Sequence, residues 1–568
     1  MPRVPVLGSM PAVLLKLGSV KMTDRFAIIF EPVAKYVLST GDEVLLQSAR
    51  RGGVRIAASC GGQGRCRSCV VRMEGAIPEA TQEDRQDFST EDLAAGWRRA
   101  CRIRPVGACT VHVPARSAEP VFLDEAATSA PVSVKDPILR ADPETGRWLR
   151  GGQCVGPIVG GQAFSLAVDL GTTNLAASLI DLQSGAVIAA GTKENAQVVY
   201  GADVISRLAQ AVTSDQTARE LQRVAVAAIG ELADALTRWR PERVAEVAVA
   251  GNSAMQHLLL GLPLSSLARA PYIPNNFRSV EVPASEVGLK LAPGAYLYVS
   301  PNVAGFIGGD HVAALLEIMA DPPSGSWALI DIGTNTEISL YAGGRLTSVS
   351  CASGPAFEGG MLTCGMQAGP GAIEKVCIRG PALEFDTVKG SDPVGICGSG
   401  SLSLVAELRR VGILNQRGRL IAGHPRVRER ANQLEFILAD ETATQGLPLV
   451  FTQNDVRAVQ LAKAAIRAGL DVLLAEMKMR DDELEHMILA GAFGSHLHLP
   501  DAVAIGLLPS LPNERFMQVG NAAAAGVRRL AVCRSARTEA TRLAVEARYL
   551  ELASRKDFQK AFMRRMTL

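Results

Sequence analysis

The sequence predicts a small α+β domain followed by a larger α/β domain built from two related lobes. Three observations support this fold class. Cysteines cluster in a glycine-rich loop near the N-terminus, and one strand–turn motif occurs twice at domain-length spacing. Of the 568 residues, 48% are hydrophobic but only 5% are aromatic, a composition typical of Ala/Val/Leu/Gly-rich α/β proteins. A chain of this length exceeds one hydrophobic core, so about three domains are expected.

The N-terminal loop reads SCGGQGRCRSC and contains Cys60, Cys66 and Cys69, and Cys101 follows further along the chain. The spacing C-x5-C-x2-C…C is one residue longer than the plant-type pattern in which four thiolates hold a 2Fe–2S cluster. Glycine permits positive φ angles, which let backbone N–H groups approach inorganic sulfide. Zinc and disulfides are the alternatives, although zinc sites usually pair two C-x2-C knuckles and only one is present.

Patterns of strand, turn and helix surround this loop. RFAIIFEP and LLQSARRGG precede it, and CVVRMEGAI and CTVHVP follow it. With these flanks, residues 27–115 resemble a β-grasp 2Fe–2S ferredoxin domain. The resemblance implies that the four cysteines named above are the cluster ligands. Cys109 lies in a strand pattern, and we expect it to be a buried apolar residue.

Arginines are frequent around the cysteines. No acidic residue lies between Glu43 and Glu74, and arginines also surround Cys101. The arginines concerned are Arg50, Arg51, Arg55, Arg65, Arg67, Arg72, Arg98, Arg99, Arg102 and Arg104. Their density indicates either a positive surface that attracts an acidic electron-transfer partner or an ordinary solvated basic face.

The net charge, the lengths of the apolar runs and the number of cysteines limit where the protein can act and what it can bind. A net charge of +2 argues against general nucleic-acid binding, and no apolar run reaches the ~18 residues of a membrane span. Residues 1–26 are interpreted as an N-terminal tail without a signal peptide, and translation starts at Met1 or Met22. Eleven cysteines, four of them predicted to hold a cluster, favour a reducing cytoplasm.

Residues 116–162 contain several prolines and two Gly-Gly pairs, and they are predicted to be a linker, either a flexible tether or a spacer packed against the next domain.

A strand–turn motif occurs as FSLAVDLGTTN at 164–174 and as WALIDIGTNTE at 327–337. Each apolar strand leads into a tight Gly-Thr turn, which can surround a phosphate with N–H groups and hydroxyls. The leading carboxylates, Asp169 and Asp331, can reach a hydrated magnesium ion. A single copy could be an ordinary β-turn, but two copies indicate two lobes that clamp a nucleotide. The candidate phosphate-binding residues are Gly171, Thr172, Thr173, Asn174, Gly333, Thr334, Asn335 and Thr336.

Two such turns resemble the phosphate loops of the actin, sugar-kinase and Hsp70 superfamily. The resemblance implies a two-lobed ribonuclease-H-like ATPase domain over residues 163–568, with a lobe boundary near residue 325. The segment LEHMILAGAFGSHL resembles the superfamily's adenosine loop, which implies Gly491, Ala492, Phe493 and Gly494 as adenosine-binding residues.

Three further positions come from shorter segments. Gly398 and Ser399 of GICGSGSL suit a close backbone approach to the nucleotide. Asp310 of PNVAGFIGGDH lies at a glycine-rich turn, where it could position magnesium or the attacking water. Asp203 begins a predicted helix. It could be only the N-cap of that helix, or it could be a residue of the site.

A ferredoxin domain ahead of a two-lobed ATPase is an uncommon pairing. Together with NAQVVYGADVISR, AGNSAMQHLLLGL, PNVAGFIGGD and ARYLELASRKDFQKAFMRRM, it resembles the ATP-dependent reductive activators of corrinoid proteins. The resemblance implies an ATP-hydrolysing enzyme that passes one electron from a 2Fe–2S cluster to Co(II), regenerating Co(I). Asp169, Asp331 and Asp310 would be its catalytic residues, and the cluster, ATP and Mg²⁺ its cofactors.

The same resemblance implies partners. These are a corrinoid protein and an upstream ferredoxin or flavin reductase, with a homodimer expected and neither nucleic acid nor membrane involved. Such activators often have a separate small middle domain between the ferredoxin domain and the ATPase domain. The connection at 116–162 is short in comparison with such a domain.

Three rival classes stay open at this point. An activator of 2-hydroxyacyl-CoA dehydratases would share a cluster between subunits and lack a ferredoxin domain. A sugar or acid kinase would not need the cysteine loop. An electron carrier fused to a degenerate kinase-fold domain would not need two intact phosphate turns.

We predict that the protein purified without oxygen is red-brown and holds two irons and two sulfides. Replacing Cys66 with Ala should abolish the visible absorption and leave ATP binding intact, because the two sites use different residues. Cys109→Ala is the matched control and should keep the colour. Elemental analysis that finds zinc instead of iron would contradict the prediction.

Overall fold

A computed structural model describes residues 25–568 except 59, 65, 118–122, 125–130, 156–161, 202, 381, 431, 445, 446 and 495, with backbone only at 123, 124 and 492. The described residues form two compact units. Unit 1 comprises those up to Val54 together with Val71–Val113, and unit 2 comprises Arg55–Val70 and Pro114–Leu568. No helix in this described part of the chain is both long and apolar enough to span a bilayer.

The elements up to residue 113 are the strands β1 Phe26–Glu31, β2 Lys35–Ser39, β3 Val70–Gly75, β4 Trp97–Arg99 and β5 Cys109–His112, and the helices α1 Leu45–Arg51, α2 Gln82–Asp87 and α3 Thr90–Ala94. The five strands form one sheet in the order β2-β1-β5-β3-β4.

This sheet has the β-grasp arrangement predicted from the sequence. Strand β1 pairs antiparallel with β2 and parallel with β5, so the first and last strands are neighbours near the middle of the sheet. Ile28 and Phe30 alternate along β1 and are fully buried, as are Leu45 of α1 and Val111 of β5. Cys109 is also buried in β5, and burial raises the pKa of its thiol to about 11, as expected for an apolar core position.

The remaining strands, in unit 2, are β6 Leu123–Asp124, β7 Leu139–Ala141, β8 Trp148–Arg150, β9 Gln153–Cys154, β10 Phe164–Leu170, β11 Asn174–Asp181, β12 Val187–Glu194, β13 Val244–Gly251, β14 Val280–Pro283, β15 Tyr296–Val299, β16 Trp327–Ile332, β17 Thr336–Ala342, β18 Arg345–Cys351, β19 Ala372–Arg379, β20 Ala382–Thr387, β21 Gly395–Ile396, β22 Val427–Arg430, β23 Gln433–Ala439, β24 Leu449–Thr452, β25 His486–Ala490, β26 Phe516–Gly520 and β27 Arg548–Tyr549. The helices are α4 Val204–Ala211, α5 Asp215–Leu236, α6 Ser253–Leu260, α7 Gly309–Ile318, α8 Gly398–Arg410, α9 Glu441–Thr444, α10 Gln453–Glu476, α11 Gly491–Gly494, α12 Leu499–Ala504, α13 Ala522–Val532, α14 Arg534–Glu546 and α15 Lys556–Arg565.

Unit 2 contains the same sheet topology twice, which confirms the predicted two-lobed fold. In the first lobe, β10, β11 and β12 are successive antiparallel neighbours, while β13 and then β15 extend the sheet in parallel on the other side of β10. In the second lobe, β16, β17 and β18 form the antiparallel part, and β25 and β26 extend it in parallel. The strands β19–β24 and the helices α8 to α10 are inserted between β18 and β25.

The two lobes share one hydrophobic core. It contains Ala167 and Ala248 from the first sheet and Leu329 and Ile488 from the second, with α7 and α13 between them. The helices α7 and α13 each follow the last parallel strand of the repeated topology, and they cross in close contact. A Cβ at Gly526 of α13 would overlap the carbonyl group of Ala313 in α7, so the crossing requires glycine.

The described part of the 116–162 segment packs onto this shared core. Ile138, Leu139 and Trp148 are buried in it, and the Ile138 amide donates to the carbonyl oxygen of Val532 at 3.0 Å. Arg150 forms a 2.8 Å ion pair with the fully buried Glu246. This packing favours the packed spacer over the tether for the residues described.

We predict that Gly526→Ala destabilises the protein by about 1–3 kcal/mol, because a methyl group overpacks the α7–α13 crossing. Gly230→Ala is the matched control: this glycine lies in α5 with open space at its Cβ position. It should stabilise by about 0.5–1 kcal/mol through helix propensity. Thermal unfolding of both variants measures the difference, and equal effects would show that the crossing tolerates a larger residue.

Candidate functional site

A cavity of about 390 Å³ is lined by both lobes of unit 2. Its walls include two turns. The first turn, residues 171–173, follows β10, and the second turn, residues 333–335, follows β16. Asp169 and Asp331 lie near the ends of β10 and β16 and line the same cavity. The first turn is tight because Gly171 has no side chain, since a Cβ there would lie 2.5 Å from a backbone oxygen.

Most of the predicted nucleotide residues meet in this cavity. The lining includes Asp169, Gly171, Thr172, Thr173, Asn174, Asp310, Asp331, Gly333, Thr334, Asn335, Gly398, Ser399, Gly491 and Phe493. Thr336 is buried elsewhere, with its hydroxyl 2.8 Å from that of Ser353. The carbonyl oxygen of Gly494 accepts a hydrogen bond from Gln518, and the side chain of Ala492 lies outside the described part.

Hydroxyl groups from the two turns meet across the cavity. The Oγ1 atoms of Thr173 and Thr334 are 3.2 Å apart. Both hydroxyls donate to the carboxylate of Glu358, at 3.3 Å from Thr173 and 2.5 Å from Thr334. One carboxylate therefore joins the two phosphate-type turns.

Buried polar side chains hydrogen-bond to the first turn. The side-chain amide of Asn195 donates to the carbonyl oxygen of Gly171 at 2.8 Å, and Arg207 donates to that of Thr172 at 2.5 Å. The side-chain amide of Asn252 donates to the hydroxyl of Thr172 at 2.9 Å. These bonds fix the backbone of the turn, which is a requirement for a preorganised anion site.

Asp203 is an N-cap and not a cavity residue. Its side chain accepts a 2.8 Å hydrogen bond from the Ser206 amide at the start of α4. This is the simpler of the two interpretations given for it above.

The cavity concentrates negative charge. Burial raises the pKa of Asp169 to about 6, and burial together with the charge of Asp169 raises the pKa values of Asp310 and Asp331 to about 7. The pKa values of Glu337 and Glu358 are also raised, first of all by burial. Within the described residues none of the five carboxylates is in a salt bridge, whereas Asn521 donates a 3.0 Å hydrogen bond to Asp169.

This donor set fits a hydrated divalent cation. Magnesium keeps several waters and is usually held by one or two carboxylates together with substrate phosphates. In the described part of the chain, no three His, Cys, Asp or Glu side chains already form a metal-binding group. A magnesium ion would therefore reach Asp169, Asp310 or Asp331 mainly through water and through a bound nucleotide.

Another part of the cavity lining is apolar and glycine-rich. Phe357 and Phe493 are stacked, with ring centroids 4.7 Å apart. Gly491 has a φ of 88°, and a Cβ there would lie 2.9 Å from a carboxylate oxygen of Asp331. Helix α8 begins beside them at Gly398, so its first-turn N–H groups are available to an anion. Such a surface suits a purine and ribose.

The cysteine loop is built as a ligand loop. Cys60, Cys66 and Cys69 are buried, and Gly61 and Gly62 have φ values of 66° and 89°. Hydrogen bonding to Cys60, and then burial, raises the pKa of the Cys66 thiol. Thiols packed in this way are suited to a positively charged metal, which would deprotonate them. Cys101, in unit 1, is also buried, and the set of four ligands stays a prediction.

Most of the arginines near the cysteines are engaged within the protein. Arg98 is buried and donates to backbone carbonyl groups, while Arg99 is buried and pairs with Asp87 at 2.9 Å. The other ion-paired arginines are Arg51, Arg55, Arg72 and Arg102. Arg65 lies outside the described residues. Arg51, Arg72 and Arg102 keep partly exposed side chains in their ion pairs, and a partner surface rich in Asp and Glu stays a prediction.

One of these ion pairs joins the cysteine loop segment to the cavity wall. Arg55 pairs with Glu194 through two nitrogens, at 2.8 and 3.1 Å. Glu194 ends β12 and lines the cavity, and the next residue, Asn195, supports the first turn. Residues 55–70 are thus connected to the phosphate side of unit 2 by one ion pair.

Sequence reasoning missed several residues of this site. Phe357 and Glu358 lie in the glycine-rich segment CASGPAFEGG (351–360), Asn195 and Glu337 lie in the motif segments NAQVVYGADVISR and WALIDIGTNTE, and none of them, nor Asn521, was predicted as a site residue. A polar residue in a glycine-rich loop is a usable signal for Glu358. The others come together only through tertiary contacts.

Comparison with known protein families assigns each part of the chain. Residues 31–106 match the 2Fe-2S iron-sulfur cluster binding domain. Residues 164–321 match the RACo middle region, and residues 326–568 match the C-terminal domain of RACo, the ASKHA domain. The match to the RACo middle region coincides with the first lobe, and the short connection at 116–162 lies outside the three matched ranges.

Individual relatives agree with these assignments. Corrinoid activation enzyme RamQ of Eubacterium limosum is 32% identical over 376 residues, which are 64% of this chain and 63% of RamQ. The [Co(II) methylated amine-specific corrinoid protein] reductase of Methanosarcina barkeri is 28% identical over 450 residues, covering 70% and 76% of the two chains. The solved structure of a reductive activator for a corrinoid, iron-sulfur protein superposes with a TM-score of 0.70 at 28% identity, covering 96% and 98%.

The fold and the cavity thus define a 2Fe–2S domain followed by a two-lobed ASKHA domain. The two lobes match the RACo middle region and the C-terminal domain of RACo, and the resemblance to reductive activators of corrinoid proteins is confirmed.

The carboxylate cavity predicts a pH dependence of stability. The folded protein keeps protons on Asp169, Asp310 and Asp331 at pH values where the unfolded chain, with pKa values near 3.8, has released them. Stability of the nucleotide-free protein should therefore fall as the pH rises from about 4 towards about 7, and then level off. Asp331→Asn removes one such group and should raise the unfolding temperature at pH 8, by roughly 1 °C for each kcal/mol relieved in a unit of this size.

Differential scanning calorimetry in magnesium-free buffer between about pH 5.5 and 8.5 measures this slope. Asp321→Asn is the matched control, because Asp321 is exposed and lies outside the cavity. Identical slopes in the wild type and Asp331→Asn would show that this carboxyl is already ionised in the folded protein.

Proposed function

We propose that this protein is an ATP-hydrolysing activator that reduces the Co(II) form of a corrinoid protein to Co(I), which can then accept a methyl group again. The observation that carries the proposal is the joining, in one chain, of a 2Fe–2S domain to the RACo middle and C-terminal regions. The names of the relatives support the same substrate class.

The need for ATP follows from the redox energetics. Plant-type 2Fe–2S centres have potentials near roughly −400 mV, which is too high for an ordinary Co(II) corrinoid to be reduced efficiently. Each 100 mV of deficit in a one-electron step corresponds to about 2.3 kcal/mol. A nucleotide that closes the two lobes can supply this amount by favouring a partner conformation whose cobalt is easier to reduce.

Each group of residues has a part in this scheme. Cys60, Cys66, Cys69 and Cys101 hold the cluster, which supplies a one-electron carrier when bound. The hydroxyls and amides of the two turns hold phosphates. Asp169, Asp310 and Asp331 hold the waters of a magnesium ion, whose charge offsets the mutual repulsion of the carboxylates. Gly491 to Gly494 and the Phe357–Phe493 stack receive adenosine.

The proposal includes its partners. The electron acceptor is a corrinoid protein, and the donor is a ferredoxin or a flavin reductase in the cytoplasm. We also propose a homodimer.

The test separates the two sites. With anaerobic protein and a Co(II) corrinoid protein, visible spectroscopy follows Co(I), and phosphate release follows ATP hydrolysis. Asp331→Ala should lower both rates about 10- to 100-fold and keep the cluster spectrum, because a displaced water shell weakens magnesium binding. Cys66→Ala should abolish Co(I) formation and keep nucleotide binding.

Asp321→Ala, an exposed carboxylate outside the cavity, is the control and should behave like the wild type. Co(I) formation at the full rate without ATP would disprove the proposal. So would ATP-dependent phosphorylation of a sugar or an acid, which is the kinase outcome.

A further inference from the structure

Among the residues that the structure describes, Glu358 supplies a carboxylate that accepts hydrogen bonds from hydroxyls of both turns. It accepts from Thr173 in the first lobe and from Thr334 in the second. Its pKa is raised by burial and lowered, less strongly, by these two hydroxyls. No salt bridge to Glu358 occurs among the described residues, so its partners are the same donors that would bind phosphate.

The backbone holds Glu358 in this place. The Gly354 amide donates to the carbonyl oxygen of Thr334 at 3.0 Å, which ties the loop to the second turn. On the other side, a Cβ at Gly359 would overlap the backbone of Met366, and one at Gly398 would overlap that of Phe357. The position of Glu358 is therefore fixed by close backbone contacts and does not depend on a flexible surface loop.

A hydroxyl group has one proton to donate. Thr173 and Thr334 can donate it to Glu358 or to a phosphate oxygen, but not to both. The proposed nucleoside site is formed by second-lobe residues, Phe357, Phe493 and Gly491, whereas Thr173 belongs to the first lobe. A phosphate that bonds to both Thr173 and Thr334 therefore lies between the two lobes, where the terminal phosphate of ATP would join them.

We propose that Glu358 takes the place of the terminal phosphate when the site is empty or holds ADP, and that ATP has to displace it. Glu358 is then a specificity-determining residue that sets the preference between ATP and ADP, and its release is linked to the contact between the lobes. This inference rests on the proposed nucleotide site and adds a residue role to it.

The test compares the affinities of two nucleotides. Isothermal titration with magnesium gives dissociation constants for ADP and for the non-hydrolysable ATP analogue AMPPNP. Glu358→Gln has nearly the same shape but no charge, so the hydroxyls lose a charge-assisted bond that ATP would have to break. It should bind AMPPNP about tenfold more tightly and leave ADP binding within about twofold.

Glu384→Gln is the matched control, because it makes the same charge change at an exposed position of β20 and should alter neither constant. A measurement on the unmodified protein adds to this. AMPPNP should increase amide hydrogen exchange in residues 355–360, whereas ADP should not. Loss of AMPPNP affinity in Glu358→Gln, an equal gain for both nucleotides, or identical exchange with both would overturn the inference.

These outcomes are distinct from failure of the proposed function. If the wild type binds neither nucleotide, the ATPase proposal itself is wrong. If the wild type binds both and only the discrimination by Glu358 is absent, the ATPase proposal stands and this inference falls.

Discussion

The crossing of α7 and α13 is the contact on which the geometry of the cavity depends. Each helix follows the final parallel strand of one copy of the repeated sheet, so their packing sets the position of one lobe against the other. Gly526 allows the two backbones to touch, and alanines surround the crossing. A polar bond reinforces it, since His311 of α7 lies 2.6 Å from the Ser339 hydroxyl of β17. Burial lowers the pKa of His311 to about 3, so this contact is neutral at ordinary pH.

Electrostatics then decide how the cavity responds to its ligand. Five carboxylates face a small volume, and the side chains bonded to them are neutral hydroxyls and amides. Such a cavity disfavours a bare triphosphate and favours one that arrives with a divalent cation. Hydrogen bonds from Asn195, Asn252 and Arg207 keep the first turn in place.

An ion pair links the cysteine loop segment to the cavity wall. Arg55 and Glu194 connect residues 55–70 to the end of β12, and the next residue, Asn195, hydrogen-bonds to the first turn. Part-buried pairs of this kind are stronger than exposed ones because water screens them less.

Local motifs were determined by the sequence alone. The cysteine loop, the two Asp-x-Gly-Thr turns and the AGAFG loop each depend on a few adjacent residues whose backbone needs, glycine at positive φ or at close approach, can be recognised in one segment. The repeated strand pattern likewise predicted two lobes, because apolar strands ending in the same turn imply the same topology. Reasoning from adjacent residues also predicted Thr336 as a phosphate-binding residue, together with Gly333, Thr334 and Asn335.

The tertiary structure determines which side chains of these motifs line the cavity and which other residues they contact. Side chains alternate along a strand, so Thr336 at the start of β17 turns away from the cavity although Asn335 lines it. Glu358 and Asn521 reach the site from segments far along the chain. Two of the arginines that suggested a positive surface, Arg98 and Arg99, are buried and bond to carbonyl groups and to a carboxylate inside the fold. A sequence shows which groups are present, but pairing and burial, which set their charge and their role, depend on distances that only the folded chain defines.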